Sequence, residues 1–164
     1  MKQSVLVIIK PDGMSKGLVG NILNKFSAAR LEVIGMKSVK ASKEMAEEHY
    51  QQLKDMDFFD ELIDYLTGKL HAHSHLVAIV YNGEDAIKKC RTIAGVTNPE
   101  EADPLSLRGA FGRIKTNGLF ENVVHVSSDD EEAQREISLW FTPEELSADI
   151  YESKIASVER KVWA

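Results

Sequence analysis

Apolar residues along this chain come in two patterns: short unbroken runs, and recurrences at every third or fourth position. Ser4 to Ile9 is an apolar run bounded by Lys10-Pro11-Asp12-Gly13, which predicts a buried strand ending in a turn. Leu18, Val19, Ile22, Leu23 and Phe26 then recur at helical spacing, predicting a helix from about Gly17 to Arg30. Val33 to Lys40 reads as a second strand with Gly35 as a bulge inside it. Ser42 is a favourable N-cap for a helix through about Lys54, with Met45, Ala46, Tyr50 and Leu53 on its buried side. A short helix follows, carrying Phe58, Phe59, Leu62, Ile63 and Leu66, and Gly68 stops it.

His75 to Tyr81 is the third predicted strand, closed by Asn82-Gly83. A helix from Glu84 to about Ala94 turns Ile87 and Cys90 inward. Between Gly95 and about Glu121 periodicity disappears and Pro99, Pro104, Gly109, Gly112 and Gly118 punctuate the chain. So long a loop in a compact domain is usually functional. Asn122 to Val126 is the fourth strand. Asp129-Asp130-Glu131-Glu132 then opens a helix to Trp140, with Ala133, Ile137 and Trp140 inward. Thr142-Pro143-Glu144-Glu145 starts another helical turn. The last fifteen residues carry no motif and are expected to wrap the surface or a neighbouring subunit. Helices separating four strands imply an α/β protein with helices packed on a sheet, and the absence of a linker or repeat implies one domain over 1–164.

Charge and cysteine content narrow the function. A net charge of −6 disfavours a dedicated nucleic-acid binder, whose surface would show a basic face, but leaves room for a local cationic cleft. Cys90 is the only cysteine, so no intrachain disulfide forms. No stretch approaches membrane-spanning length, and the apolar run after Lys2 is too short for a signal peptide. The cytoplasm is the expected location.

The chemistry gathers around Asn122-Val123-Val124-His125-Val126-Ser127-Ser128-Asp129. A strand here delivers an imidazole to a loop edge, where a neutral ring nitrogen can act as a nucleophile near pH 7; the bland alternative is a histidine closing a buried strand. Glu136, eleven residues on, can accept a hydrogen bond from one ring nitrogen and leave the other free. Lys10, at the end of the first strand, is placed to neutralise a phosphate as a point charge. Arg91 and Arg108 can grip phosphate oxygens through paired donors, with the Thr97 hydroxyl beside them. Neither common glycine-rich nucleotide loop is present, so any phosphate site must use side chains. Tyr50 either packs or hydrogen-bonds near the site. One of Phe58 and Phe59 suffices for the helix core, and the other can stack on a base. His71, His73 and His75 alternate, a weak metal signal without a cysteine or carboxylate beside them.

Taken together these segments resemble the nucleoside diphosphate kinases over nearly the whole chain. The resemblance rests on Ile9-Lys10-Pro11-Asp12-Gly13 with Gly17-Leu18-Val19-Gly20, on His49-Tyr50 and Phe58-Phe59, and on Gly95-Val96-Thr97-Asn98-Pro99 and Leu107-Arg108-Gly109. It continues through Asn122-Val123-Val124-His125 and Glu136-Ile137-Ser138-Leu139-Trp140-Phe141. It implies a ferredoxin-like four-stranded antiparallel sheet covered by helices, assembled as a homo-oligomer, a hexamer or less often a tetramer. The implied activity is transfer of the γ-phosphate of a nucleoside triphosphate, mainly ATP, to a nucleoside diphosphate, with Mg2+ held mainly by the nucleotide phosphates. By this resemblance His125 matches the histidine phosphorylated on its δ nitrogen, with Glu136 orienting it and Ser127 beside it. Lys10, Tyr50, Arg91, Thr97, Arg108 and Asn122 match phosphate, sugar and active-site contacts, and Phe58 matches the aromatic that stacks on the base.

The chain departs from the family at several points. Val126 and Ser128 stand where the family usually has Gly and Asp, and the segments near Lys69–Ser74 and Gly112–Gly118 are longer. Leu119 or Phe120 is expected opposite Phe58. A nucleotide-responsive regulator without transfer, and an interaction protein using the histidine-rich segment, are the rival readings.

Overall fold

The computed structural model describes residues 1–71 and 73–155. Its spine is β1 (Lys2–Ile9), in which Val5 to Ile9 have no accessible surface. A strand buried on both faces has no polar side to show, which is why it reads as an unbroken apolar run. β1 pairs antiparallel with β3 (Leu76–Glu84) on one side and β6 (Val124–Val126) on the other, and β2 (Glu32–Val39) lies beyond β3. The sheet order β2-β3-β1-β6, antiparallel throughout, is the expected ferredoxin-like arrangement.

Side-chain alternation on β1 sorts the core into two layers. Val5, Val7 and Ile9 pack beneath α2 (Val19–Ser27) and α5 (Ala86–Ala94), through Ile22, Phe26, Ile87 and Cys90. Leu6 and Ile8 face α3 (Lys43–His49), α4 (Phe59–Leu66) and α7 (Asp130–Trp140), through Ala46, Ile63, Leu66, Ile137 and Trp140. Ile150 and Tyr151 of the tail pack against this second layer, while 156–164 lie outside the described residues.

Local differences from the sequence reading have identifiable causes. The expected turn at Lys10-Pro11-Asp12-Gly13 is a short helix, α1 (Pro11–Ser15), because proline at the first position fits a helix start. The helix after Ser42 keeps the expected cap, Met45 N–H to Ser42 Oγ at 3.2 Å, but ends at His49 and gives way to a 3-10 turn at Gln51–Leu53. Asn82-Gly83 does not close β3, since both residues remain paired with Ser4 and Gln3 of β1. The bulge at Gly35 is real: the register shifts there, and a Cβ would sit 2.6 Å from Leu146. The aperiodic 95–121 stretch contains α6 (Leu107–Phe111) and a hairpin of β4 (Arg113–Ile114) and β5 (Phe120–Glu121), too short to show a period. Among the described residues no helix is long and apolar enough to cross a membrane.

Candidate active site

β6 is three residues long because Val123, just before it, sits at φ +58°. A β-branched residue in the left-handed region is costly, by roughly 1–3 kcal/mol, and persists only where its surroundings impose it. Here the Val123 N–H donates to Asp12 Oδ2 at 3.1 Å, and its carbonyl accepts the Lys10 N–H at 2.8 Å. Asp12, fully buried in α1, also accepts the Tyr65 hydroxyl at 2.7 Å. The flanking Asn122 and His125 are thereby fixed to the end of β1.

His125 is 13% exposed and lines a cleft of about 570 Å³. Its Nε2 lies 2.9 Å from the carboxylate of Glu136, which is fully buried. The Ser127 hydroxyl donates to the same carboxylate at 2.6 Å and accepts the Leu6 N–H at 3.2 Å. An ionised Glu136 can only accept, so Nε2 carries the ring proton and Nδ1 keeps its lone pair. Burial, then the charges of Lys10 and Arg108, hold the imidazole well below its ordinary pKa, so the ring is neutral at pH 7. Burial also pushes the Glu136 carboxyl up.

The cleft wall is cationic near the histidine. Lys10 is buried, with Nζ 2.9 Å from Asn122 Oδ1 and 5.0 Å from the centre of the Tyr65 ring. Burial, and next the Arg108 charge, bring its pKa down to about 7. Arg108 donates to the Gly95 and Val124 carbonyls at 2.8 and 3.0 Å, and burial lowers its pKa to about 10. The Asn122 amide N–H donates to the Thr97 carbonyl at 3.0 Å, tying β6 to the loop after α5. Arg91 and Thr97 line the same cleft from exposed positions. Tyr50 is buried beside it with no hydrogen-bond partner for its hydroxyl among the described residues. At the far end Phe58 is 47% exposed and lines the cleft, while Phe59 packs into the second core layer. Leu119 and Phe120 both line the cleft.

A model of the nucleoside diphosphate kinase family matches residues 3–146. The chain belongs to the nucleoside diphosphate kinase family. It is 41% identical over 144 residues to a nucleoside diphosphate kinase from Pyrococcus horikoshii, covering 88% of each chain. Among solved structures, a halophilic nucleoside diphosphate kinase from Halobacterium salinarum in complex with CDP superposes with a TM-score of 0.81 at 31% identity, over 93% of this chain and 95% of that one. A transition-state mimic of the Borrelia burgdorferi enzyme with bound vanadate and ADP gives a TM-score of 0.80 at 26% identity, over 92% and 94%. As a nucleoside diphosphate kinase the chain moves phosphoryl groups between nucleoside triphosphates and diphosphates.

The residues expected to take part in transfer or nucleotide binding lie at the cleft or directly behind it: Lys10, Tyr50, Phe58, Arg91, Thr97, Arg108, Asn122 and His125 line it, and Ser127 and Glu136 support it. Sequence reasoning gave no role to His49. Its ring is fully buried, 4.4 Å from that of His125 edge to face, and its Nδ1 accepts the Trp140 indole N–H at 3.1 Å. It also missed Asp12 and Tyr65, whose pairing is invisible because Pro-Asp-Gly imitates an ordinary turn. The alternating histidines do not gather. His71 Nε2 pairs with Glu121 Oε1 at 3.0 Å, while His73 and His75 are exposed. Val126 is buried in β6, and Ser128 lines the cleft with its N–H on Glu132 Oε2. Asp129 caps α7 by accepting the Glu132 N–H at 2.8 Å.

Proposed function

We propose that His125 carries the phosphoryl group between donor and acceptor in a ping-pong exchange. The Nδ1 lone pair attacks the γ-phosphorus of a nucleoside triphosphate, mainly ATP. The N–P bond forms as the bond to the bridging oxygen breaks, and a nucleoside diphosphate leaves. A second diphosphate then attacks the phosphorus with a terminal β-oxygen, and the lone pair returns to Nδ1. The Nε2 proton stays on the ring throughout, and the Glu136 carboxylate balances the positive charge of the phosphorylated imidazole. Such transfer needs positioning and charge neutralisation more than covalent help.

Lys10, Arg91 and Arg108 neutralise the phosphates in this reading. Thr97, Asn122 and Tyr50 position phosphate and sugar, and Ser127 holds Glu136. Phe58 stacks on the base. The observation that carries the proposal is the His125 imidazole, pinned at Nε2 by a buried carboxylate, in a cleft where Lys10 and Arg108 have only carbonyl hydrogen-bond partners.

Mg2+ fits this donor set as a companion of the substrate. The only carboxylates lining the cleft are Glu61 and Glu132, too few for a protein cage, so the nucleotide phosphates and water would supply most of its ligands. When bound, the ion adds positive charge at the β- and γ-phosphates. The cluster of His49, His125 and Glu136 is nitrogen-rich and buried, unlike a magnesium site.

We read the chain as one domain over 1–164, acting in the cytoplasm as a homo-oligomer, a hexamer ahead of a tetramer. The open edge of β2, with Val33 and Met36 about half exposed, supports assembly. Incubation with γ-labelled ATP tests the central claim. The expected product is an acid-labile, alkali-stable label on the chain that nucleoside diphosphate removes and that His125→Ala abolishes. A wild-type chain that binds nucleotide without becoming labelled is a regulator, and the proposal fails.

A further inference from the structure

The stacking end of the cleft carries two polar groups that phosphate transfer does not use. Glu61 lies three residues after Phe58, on the same side of α4, and lines the cleft with it. Asn117, at the tip of the β4–β5 hairpin, faces it across the cleft, and the two meet: Asn117 Nδ2 donates to Glu61 Oε1 at 2.5 Å. The amide cannot turn over without loss, because its Oδ1 accepts the Leu119 N–H at 3.3 Å. Glu61 Oε2 has no hydrogen-bond partner among the described residues.

The hairpin holding Asn117 is anchored at its base. Glu121 is 1% exposed and binds Arg113 Nε at 2.5 Å and His71 Nε2 at 3.0 Å, with Lys16 Nζ at 3.6 Å. His71 belongs to the segment after α4 and the hairpin lies in the 112–118 segment, the two stretches expected to be longer than in the family. The two stretches that the family resemblance reads as longer thus support each other, and together they carry a carboxylate–amide pair to the end of the base slot.

We infer that Glu61, held by Asn117, forms a base-edge subsite that selects guanine nucleotides. Stacking on Phe58 is blind to base identity, since every base has a π face. A carboxylate at the edge is not. Guanine presents two adjacent donors, N1–H and N2–H, which a carboxylate accepts side by side. Adenine presents an unprotonated N1 beside its amino group, and cytosine an unprotonated N3, so the carboxylate meets a lone pair in either case. Uracil and thymine offer one donor between two carbonyls. Bidentate recognition of a base edge discriminates by roughly five- to 150-fold. Glu61 is only half-buried, which places the effect at the lower end, about tenfold.

This inference rests on the reading of the cleft as the nucleotide site, and the test separates the two. Titration of the full chain with GDP, IDP and ADP measures base selection without any transfer step. The expected result is GDP binding about tenfold more tightly than ADP, with IDP between because it lacks the N2 amino group. In Glu61→Gln the GDP-to-ADP ratio should fall to about twofold or less; the change is isosteric at a half-exposed position, and circular dichroism confirms folding. Asn117→Ala should narrow the ratio less, because the carboxylate remains. Equal affinities in the wild type, or an unchanged ratio in Glu61→Gln, overturn the inference. Failure to form a phosphoenzyme from ATP would instead overturn the transfer mechanism, and would leave these affinities to decide the base-edge claim by themselves.

Discussion

Replacing Asp12 by alanine should destabilise the protein far more than its position in a five-residue helix suggests. The Asp12 carboxylate has two protein donors, the Val123 N–H at 3.1 Å and the Tyr65 hydroxyl at 2.7 Å, and all three groups are buried. Alanine orphans both donors. Each buried unsatisfied donor costs about 1–3 kcal/mol, so the pair amounts to about 4 kcal/mol. At an m-value of about 2 kcal/mol per molar urea, the unfolding midpoint falls by about 2 M at matched protein concentration. Tyr65→Phe removes one donor and leaves the carboxylate on Val123, a loss of about 1 kcal/mol. In the double variant only Val123 is orphaned, at about 2 kcal/mol, so the two losses should fall short of additivity by about 3 kcal/mol. Asp12→Asn should cost less than alanine, since the amide can accept from Val123 while the Tyr65 hydroxyl turns to accept from the amide N–H. The site should suffer alongside stability, because the carboxylate holds Val123 at φ +58° and the Lys10 N–H is bonded to the same residue. Urea denaturation by circular dichroism decides the matter. A loss below about 1 kcal/mol in Asp12→Ala, or strict additivity in the cycle, would refute the account of Val123.

Three other perturbations address the site. Glu136→Gln should keep an oxygen for the Ser127 hydroxyl and the Nε2–H but lose the charge that balances the phosphorylated ring, slowing phosphoenzyme formation by on the order of a hundredfold; a rapid-quench rate near wild type would contradict that electrostatic role. Lys10 titrates near 7 in the free protein, and bound phosphate should raise it, so binding at pH 8 should take up close to one proton and binding at pH 6 almost none. Calorimetry in buffers of differing ionisation enthalpy reads that number, and equal uptake at both pH values would refute it. Burial pushes the Glu121 carboxyl up, but Arg113 and His71 outweigh it and hold the pKa at about 2, against 4.5 unfolded. Its contribution is therefore complete above pH 4.5 and lost as pH falls through 2. Glu121→Gln should be less stable than wild type at neutral pH, and the gap should close in acid denaturation curves between those values.

Sequence pattern revealed this fold where burial is simple and obscured it where contacts are distant. β1 and α7 show their class directly, one buried on both faces and the other carrying a single apolar stripe with an aspartate cap. The β4–β5 hairpin has two residues per strand, and no periodicity can appear over so few positions. The lysine, arginines and histidine of the site were visible as residue types, and the family resemblance gave their order a meaning. The supporting layer was not visible. Asp12 and Val123 are 111 residues apart, and His49 and Trp140 are 91 apart. Neither pair has a local signature, because each exists only once α1, α3, β6 and α7 converge on the sheet.

The electrostatics explain how an acidic protein comes to bind an acidic ligand. Where this chain needs charge for structure, it pairs it: buried Glu121 has Arg113, His71, Lys16 and Lys115 within ion-pair distance. Where it needs charge for the cleft, it withholds the partner. Lys10 has an amide carbonyl and Arg108 two backbone carbonyls, and neither forms an ion pair among the described residues. Dipoles hold the cations in place without cancelling them, and the lowered pKa of each records the cost of burying charge beside charge. In the proposed reading a phosphate relieves that cost on binding, so part of its affinity comes from strain already present in the cleft. A carboxylate introduced beside Lys10 would give the cation a permanent partner, and by this reasoning it should raise stability while weakening nucleotide binding.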